Sequence, residues 1–303
     1  YTLIDTAPDS SKIGAPDYSH LVSKTVTVTE YSGSQRISLN MLYCGEQAEA
    51  YALLDMASSS VDEIIIVATD DFKGAKRMAE FFGAHLFRAK FKGDFSALRN
   101  LAKEHSTGDW ILYFDPDENI HPDFFVNLQK LIEDDVHAFL FTVKNHHPKG
   151  NPSYTDTVRL FRNIDSFVFR GRVHENLDES LRGHQFRIAE CPYPINHFGY
   201  LLPEKNESLR ISLYKKLTIK QLGDRPDDPL AHFNLGVTYQ HEGQLDKAMH
   251  HFLEASRLDP KYYHPLLQIG LIHTSQSLKF YRQARSLIPP GHRLSPVLDR
   301  IVK

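Results

Sequence analysis

Two cysteines in 303 residues, Cys44 and Cys191, stand far apart and form no CxxC pair. A disulfide framework and a thiolate zinc site are therefore not expected, and a reducing, cytoplasmic setting fits best. No run approaches the ~18 to 20 apolar residues that a membrane-spanning helix needs. The longest, such as Ile64 to Ala68, are strand-sized. Charge of one sign is also lacking: the net charge of −3 gives no general attraction to nucleic acid, which would need a local basic patch. The chain opens on Tyr1 rather than Met, as expected of a trimmed or cleaved chain. What is present, 41% hydrophobic and 24% charged residues, is enough for a substantial core.

Residues 1–34 are rich in Ser, Thr, Asp and Pro and read as an N-terminal extension, with one alternating run, Lys24 to Glu30, expected to form an edge strand. From Ile37 a different rhythm begins. Strands are predicted at Ile37 to Tyr43, Glu63 to Ala68, His85 to Phe91 and Trp110 to Phe114, with helices between them at Glu46 to Ser58, Gly74 to Phe82 and Phe95 to His105. That alternation implies right-handed βαβ units and a mostly parallel sheet. A helix at Phe124 to Ile132, a strand at Ala138 to Lys144 and broken strand segments at Thr157 to Phe169 follow, and from Glu204 the pattern is helical. The predicted division is an α/β domain over 35–205 and an α-helical domain over 206–303.

The helical part carries a repeat signature. Leu235, Gly236, Tyr239, Gly243, Ala248, Phe252, Ala255 and Pro260 reproduce the tetratricopeptide spacing of small and large residues on two packed helices, and Leu267 to Gly270 begins a second unit. Gly236 and Ala248 are expected to let the helices approach, Tyr239 and Phe252 to fill the space beside them, and Pro260 to end the second helix. Such helices are expected to offer a surface to a protein partner or a second copy of the chain.

The chemistry is expected at Asp115-Pro116-Asp117-Glu118, directly after a buried strand, because ligands of an open parallel sheet bind beyond the carboxyl ends of its strands. Two carboxylates on such a turn can share a hard cation with a substrate phosphate. An Asp-x-Asp of this kind can equally be a helix-capping turn. Arg159 and Arg162 lie on opposite faces of a strand, so one at most faces the cleft. His146 and His147, beside Pro148 and Gly150, read as solvated loop residues.

An ordered set of further motifs surrounds the turn. It comprises Val61 to Val67 leading into Thr69-Asp70-Asp71, Gly93-Asp94-Phe95-Ser96-Ala97-Leu98-Arg99-Asn100, Gly108-Asp109-Trp110, Arg159-Leu-Phe-Arg162, Gly171-Arg172-Val-His174-Glu175-Asn-Leu177 and Asn196-His197-Phe-Gly199-Tyr200. Together these resemble the family 2 glycosyltransferases of the GT-A fold, in the bacterial and phage subgroup whose catalytic domain precedes tetratricopeptide-like helices, among them peptide S-glycosyltransferases. The resemblance covers about Ile37 to Pro260.

It implies an inverting, metal-dependent transferase that takes sugar from a nucleotide-sugar donor, a UDP-sugar above all, with Mn2+ or Mg2+ as cofactor. Cys44 and Glu46 fall on the nucleotide-contacting loop. Asp70 falls on the base-contacting acid, and Asp94 and Arg99 on base- and phosphate-side contacts. Asp115 and Asp117 fall on the metal and sugar-diphosphate ligands, with His197 completing that shell. His174 and Glu175 fall on the acceptor motif, with Glu175 as the base. The acceptor stays open among a peptide, a glycan and a modified DNA base. The chain departs from the family at Cys44-Gly45-Glu46 and at Thr69 to Gly74, which leaves the nucleotide base undecided. Two rivals remain: a nucleotidyltransferase, which should carry a Gly-rich basic loop where Leu42 to Ala48 has one Gly and no basic residue, and a non-catalytic repeat scaffold with a vestigial α/β domain.

Overall fold

The computed structural model describes residues 35–43, 48–69, 71–132, 135–148, 151–181, 186–201, 204–272, 277–288 and 294–301. Cys44, Glu46, Asp70 and the Lys24 to Glu30 run lie outside them. The chain divides into two compact units, with the change at residues 202/203.

In the first unit the near-continuous apolar runs become parallel strands. β1 (Ile37–Tyr43), β2 (Glu63–Ala68), β3 (His85–Arg88) and β4 (Trp110–Phe114) pair in the order β3-β2-β1-β4. Because consecutive side chains point to opposite faces, an uninterrupted apolar strand must be covered on both. One face carries Leu39, Met41, Ile64, Ile66, Leu112 and Phe114 against α1 (Ala48–Ala57), α2 (Phe72–Phe82) and α4 (Asp123–Leu131). On the other, Ile65 and Val67 meet Leu98 and Ala102 of α3 (Phe95–Glu104).

Beyond β4 the sheet turns mixed. β5 (Glu118–Ile120), β6 (Ala138–Asn145), β7 (Ser153–Arg162), β8 (Ile188–Glu190) and β9 (Ile195–His197) extend it in the order β4-β7-β6-β9-β5, with β8 beside β6. β7 runs antiparallel to both β4 and β6, and the β6–β7 register shifts once, between Phe139 and Leu140. A short helix, α5 (Asp178–Leu181), follows β7. The third strand stops three residues before its predicted end, and β7 begins four residues before its own. The three-residue strands β5, β8 and β9 are too short to show a period of two.

The second unit holds α6 (Glu204–Asp224), α7 (Pro229–His241), α8 (Leu245–Leu258), α9 (His264–Ile272), α10 (Ser277–Leu287) and α11 (Ser295–Ile301). Asp228 caps α7 by accepting from Ala231 N and is itself held by Gln221 Nε2 at 2.8 Å, with Pro229 in the first turn. Phe233, Ala248, Phe252, Ala255 and Ile269 form the packing centre of α7, α8 and α9. A Cβ on Gly236 would stand 2.7 Å from the Phe252 ring, so α7 and α8 touch only because residue 236 has none. The same device returns at Gly270, whose Cβ would meet the Tyr281 ring at 3.0 Å. Tyr239 is only half-buried: it stacks on His251 at 5.5 Å and lies under the Lys215 and Lys247 ammonium groups.

Replacing Gly236 with Ala should lower stability by about 1–3 kcal/mol, because overpacking against Phe252 outweighs the gain in helix propensity. Urea unfolding monitored by circular dichroism checks this, and a second change, Phe252→Leu, should recover part of the loss.

Candidate active site

Asp115 leaves β4 at its carboxyl end and begins a tight turn. Glu118 N donates back to Asp115 O at 3.1 Å, and Asp115 N donates to Glu118 Oε2 at 2.9 Å. The turn leads into β5, whose Glu118 is the cross-strand partner of His197 on β9, and Phe198 N donates to Asp117 O at 2.9 Å. This pairing brings Asp117 Oδ2 and His197 Nε2 to 3.3 Å. A Cβ on Gly199 would overlap Asp117 Oδ2 and lie 2.6 Å from His197 Nε2, which is why a glycine stands there. His197 Nδ1 is 2.8 Å from the amide oxygen of buried Asn145 on β6, so Nδ1 carries a proton and Nε2 faces Asp117. Burial opposes protonation of His197, but the Asp117 carboxylate outweighs it and raises the pKa.

Asp115 itself is held by two guanidiniums. Arg99 NH2 donates to its Oδ1 at 2.6 Å, and Arg159 reaches its Oδ2 at 3.4 Å. Arg159 NH2 also donates to Glu118 Oε1 at 2.6 Å, and both guanidiniums lie over the Tyr113 ring, at 4.4 and 4.5 Å. Arg162, on the other face of β7, stacks instead on Trp110. Burial disfavours ionisation of Asp115, yet the two guanidiniums hold its carboxyl well below the usual range. Burial pushes Glu118 up to about 7 against the pull of Arg159.

Arg99 has a second partner: its Nε donates to Glu175 Oε1 at 3.0 Å. The segment carrying Glu175 is fastened to α3 along its length. Phe95 N donates to Arg172 O, Arg172 NH1 donates to Gly93 O, and the Asn100 side chain both donates to Phe169 O and accepts from Phe169 N. A two-way bridge between Arg170 and Asn176 closes the loop, and His174 takes a left-handed backbone at φ 55°, unusual for a residue with a Cβ. Glu175 is largely buried, which raises its pKa against the influence of Arg99.

Of the residues singled out in the sequence, the structure thus gathers Asp115, Arg99 and Glu175 in one network and Asp117 with His197 in a neighbouring pair. Asp94 caps α3 through Ala97 N and Ser96 Oγ, and Arg99 spends its bonds on Asp115 and Glu175. The side chain of His174 is exposed. His146, read as solvated, is half-buried and stacks on Phe198 at 4.9 Å. Sequence reasoning gave no role to Tyr113, Glu118 or Asn145. The only advance signal was the third carboxylate of the acidic turn.

Among the described residues no three His, Cys, Asp or Glu side chains gather as a ready-made metal cage. Asp117 and His197 nevertheless fit as two neighbouring ligands. Their 3.3 Å separation is near the ~3 Å expected between adjacent donors of an octahedral cation bound at about 2.1 Å, and Asn145 orients the imidazole for it. Both oxygens of Asp115 face guanidiniums, while its charge also acts on His197.

Residues 48–191 match the profile of glycosyl transferase family 2, and residues 229–262 that of the tetratricopeptide repeat. The chain is 30% identical over 242 residues to a TPR repeat-containing protein of Synechococcus elongatus, a match that covers 77% of this chain and 60% of that one. It is 25% identical over 222 residues to the SPbeta prophage-derived glycosyltransferase SunS of Bacillus subtilis, covering 69% of this chain and 50% of SunS. The chain thus spans between half and three-fifths of the length of these curated relatives. A crystal structure of glucosyl-3-phosphoglycerate synthase from Mycobacterium tuberculosis, in complex with Mn2+, UDP and phosphoglyceric acid, is similar at 14% identity and a TM-score of 0.41, over 62% of this chain and 78% of that one. The chain thus joins a segment that matches family 2 glycosyltransferases to a segment that matches the tetratricopeptide repeat.

Proposed function

We propose that the α/β domain transfers a sugar from a nucleoside-diphosphate sugar, a UDP-sugar above all, to a nucleophilic acceptor on a peptide, a glycan or a modified DNA base, with inversion at the sugar carbon. The observation that carries this reading is the buried fork of Arg99, which ties a carboxylate at the carboxyl end of β4 to Glu175, whose own pKa burial raises. A vestigial domain has no need of two buried guanidiniums matched by three carboxylates.

Glu175 acts as the base: it accepts the proton of the acceptor hydroxyl, thiol or amide as that group attacks the sugar, and Arg99 fixes the direction of its lone pairs. Asp115, ionised across the whole working range, keeps Arg99 and Arg159 in place at the edge of the donor site. Asp117 and His197 would hold a divalent cation, Mn2+ or Mg2+, which when bound supplies positive charge against the leaving diphosphate. Cys44, Glu46, Asp70 and Asp94 remain the candidates for the nucleotide side, and the tetratricopeptide helices the candidate surface for a protein partner or a second copy of the chain. No helix among the described residues is long and apolar enough to cross a membrane. We place the reaction in the cytoplasm on the strength of the two widely separated cysteines.

Glu175→Gln should lower turnover about 100- to 10,000-fold, roughly 3–5 kcal/mol of barrier, with donor affinity unchanged. Steady-state kinetics with a donor titration checks the split, and weakened donor binding would move Glu175 to the donor site. The base works deprotonated and burial raises its pKa, so wild-type kcat/KM should fall with decreasing pH through a midpoint above the ordinary carboxylate value. That acidic limb should vanish in the Gln variant. Asp117→Asn should abolish Mn2+-stimulated hydrolysis of the donor while leaving the circular dichroism spectrum unchanged. Hydrolysis retained by this variant, or no thermal stabilisation of the wild type by UDP with Mn2+, would overturn the metal role.

A further inference from the structure

The β6–β7 ladder contains an irregularity whose position is informative. Phe139 pairs with Leu160 and Leu140 with Val158, so Arg159 is the extra residue on β7, a β-bulge. Its effect shows in the packing: Leu160 belongs to the core on one face of the sheet, while Val158 and Phe161 both belong to the core on the other. In regular register Val158 and Leu160 would share a face. The bulge instead leaves Arg159 on the side of Tyr113, whose ring its guanidinium overlies, within reach of the acidic turn.

At the turn Arg159 meets Glu118, one of the most deeply buried carboxylates of the chain at 1% exposure. Glu118 is a three-way junction. One carboxylate oxygen accepts from Arg159 NH2 at 2.6 Å, the other from Asp115 N at 2.9 Å, and its backbone pairs with His197 across β5 and β9. Arg159 Nε is buried with no hydrogen-bond partner, so the hydrogen bonds of this guanidinium to the turn come from its terminal nitrogens.

We propose that Glu118 and the bulge-aimed Arg159 are positioning residues: together they fix the shape of the Asp115-Pro116-Asp117 turn and so set where Asp117 stands relative to His197. This rests on the reading of Asp117 and His197 as the cation pair. The side-chain hydrogen bonds of Glu118 and Arg159 go to each other and to Asp115. A glutamine at 118 keeps one acceptor oxygen and can serve Arg159 or Asp115 N but not both. A lysine at 159 keeps the charge and loses the fork that reaches Asp115 and Glu118 at once.

The test measures Mn2+ affinity in the presence of UDP, from the free Mn2+ signal in electron paramagnetic resonance, for the wild type, E118Q, R159K and D117N. Thermal unfolding and amide hydrogen exchange accompany it. E118Q and R159K should remain folded and lose about 10- to 100-fold in Mn2+ affinity, the usual effect of removing a group that orients a ligand. The amides of Asp117 and Glu118 should exchange faster. Wild-type affinity in both variants, alongside loss in D117N, would overturn the proposal and leave the cation pair standing. Wild-type affinity in D117N would sink the cation pair itself, and amide exchange then decides: unchanged protection of the turn in E118Q overturns the positioning role, and lost protection upholds it. Global unfolding of both E118Q and R159K would make the pair a general stabiliser of the fold and overturn the proposal too.

Discussion

A guanidinium kept from water must be matched by carboxylates, and the site is organised around two that are. Arg99 and Arg159 are 8% and 9% exposed, and Asp115, Glu118 and Glu175 surround them. Desolvating such groups is costly, and their mutual attraction offsets the cost only when the geometry is good, so each member fixes the others. Removing one partner of a buried pair typically costs about 3–5 kcal/mol because the remaining charge is stranded. The carboxyl end of β4, helix α3, strand β7 and the loop at Glu175 are held in register by this mutual need. Tyr113 supplies the surface on which both guanidiniums lie, adding cation–π attraction in a place where water does not screen it.

Much of this was legible in the sequence. The uninterrupted apolar runs of β1, β2 and β4 predict a parallel sheet covered on both faces, and the acidic turn after β4 marks the place where Asp115 and Glu118 meet the two guanidiniums. The Gly-Asp-Phe-Ser-Ala-Leu-Arg-Asn box stands out as a unit, yet much of what it does is structural. Asp94 caps the helix, Phe95 N and Asn100 grip residues 169–172, and Arg99 faces two carboxylates. Spacing along the chain shows that these residues belong together but not which partners 70 residues away they meet.

Less legible were the features that depend on pairing between short strands. A three-residue strand such as β5 has no periodicity to detect, so the contact between Glu118 and His197, and with it the closeness of Asp117 to His197, follows only from the sheet. The bulge at Arg159 is likewise a property of two strands at once: the sequence of β7 looks regular, and the extra residue exists only relative to β6. The repeat helices lie at the opposite extreme. Glycines at 236 and 270 stand 34 residues apart and each meets a ring, Phe252 and Tyr281, so the period is legible at the glycines, although the rings that face them do not keep it.

The bond pattern of Asn100 bears on how the reaction cycle can move. Its amide group donates to Phe169 O and accepts from Phe169 N, as a neighbouring strand would, so the middle of α3 and the segment at Phe169 are stitched as if by one more rung of sheet. With Phe95 N on Arg172 O and Arg99 on Glu175, the carboxylate proposed as the base is tied to α3 through its own side chain and through the segment that precedes it. On that reading an acceptor meets a seat whose walls are joined before it binds.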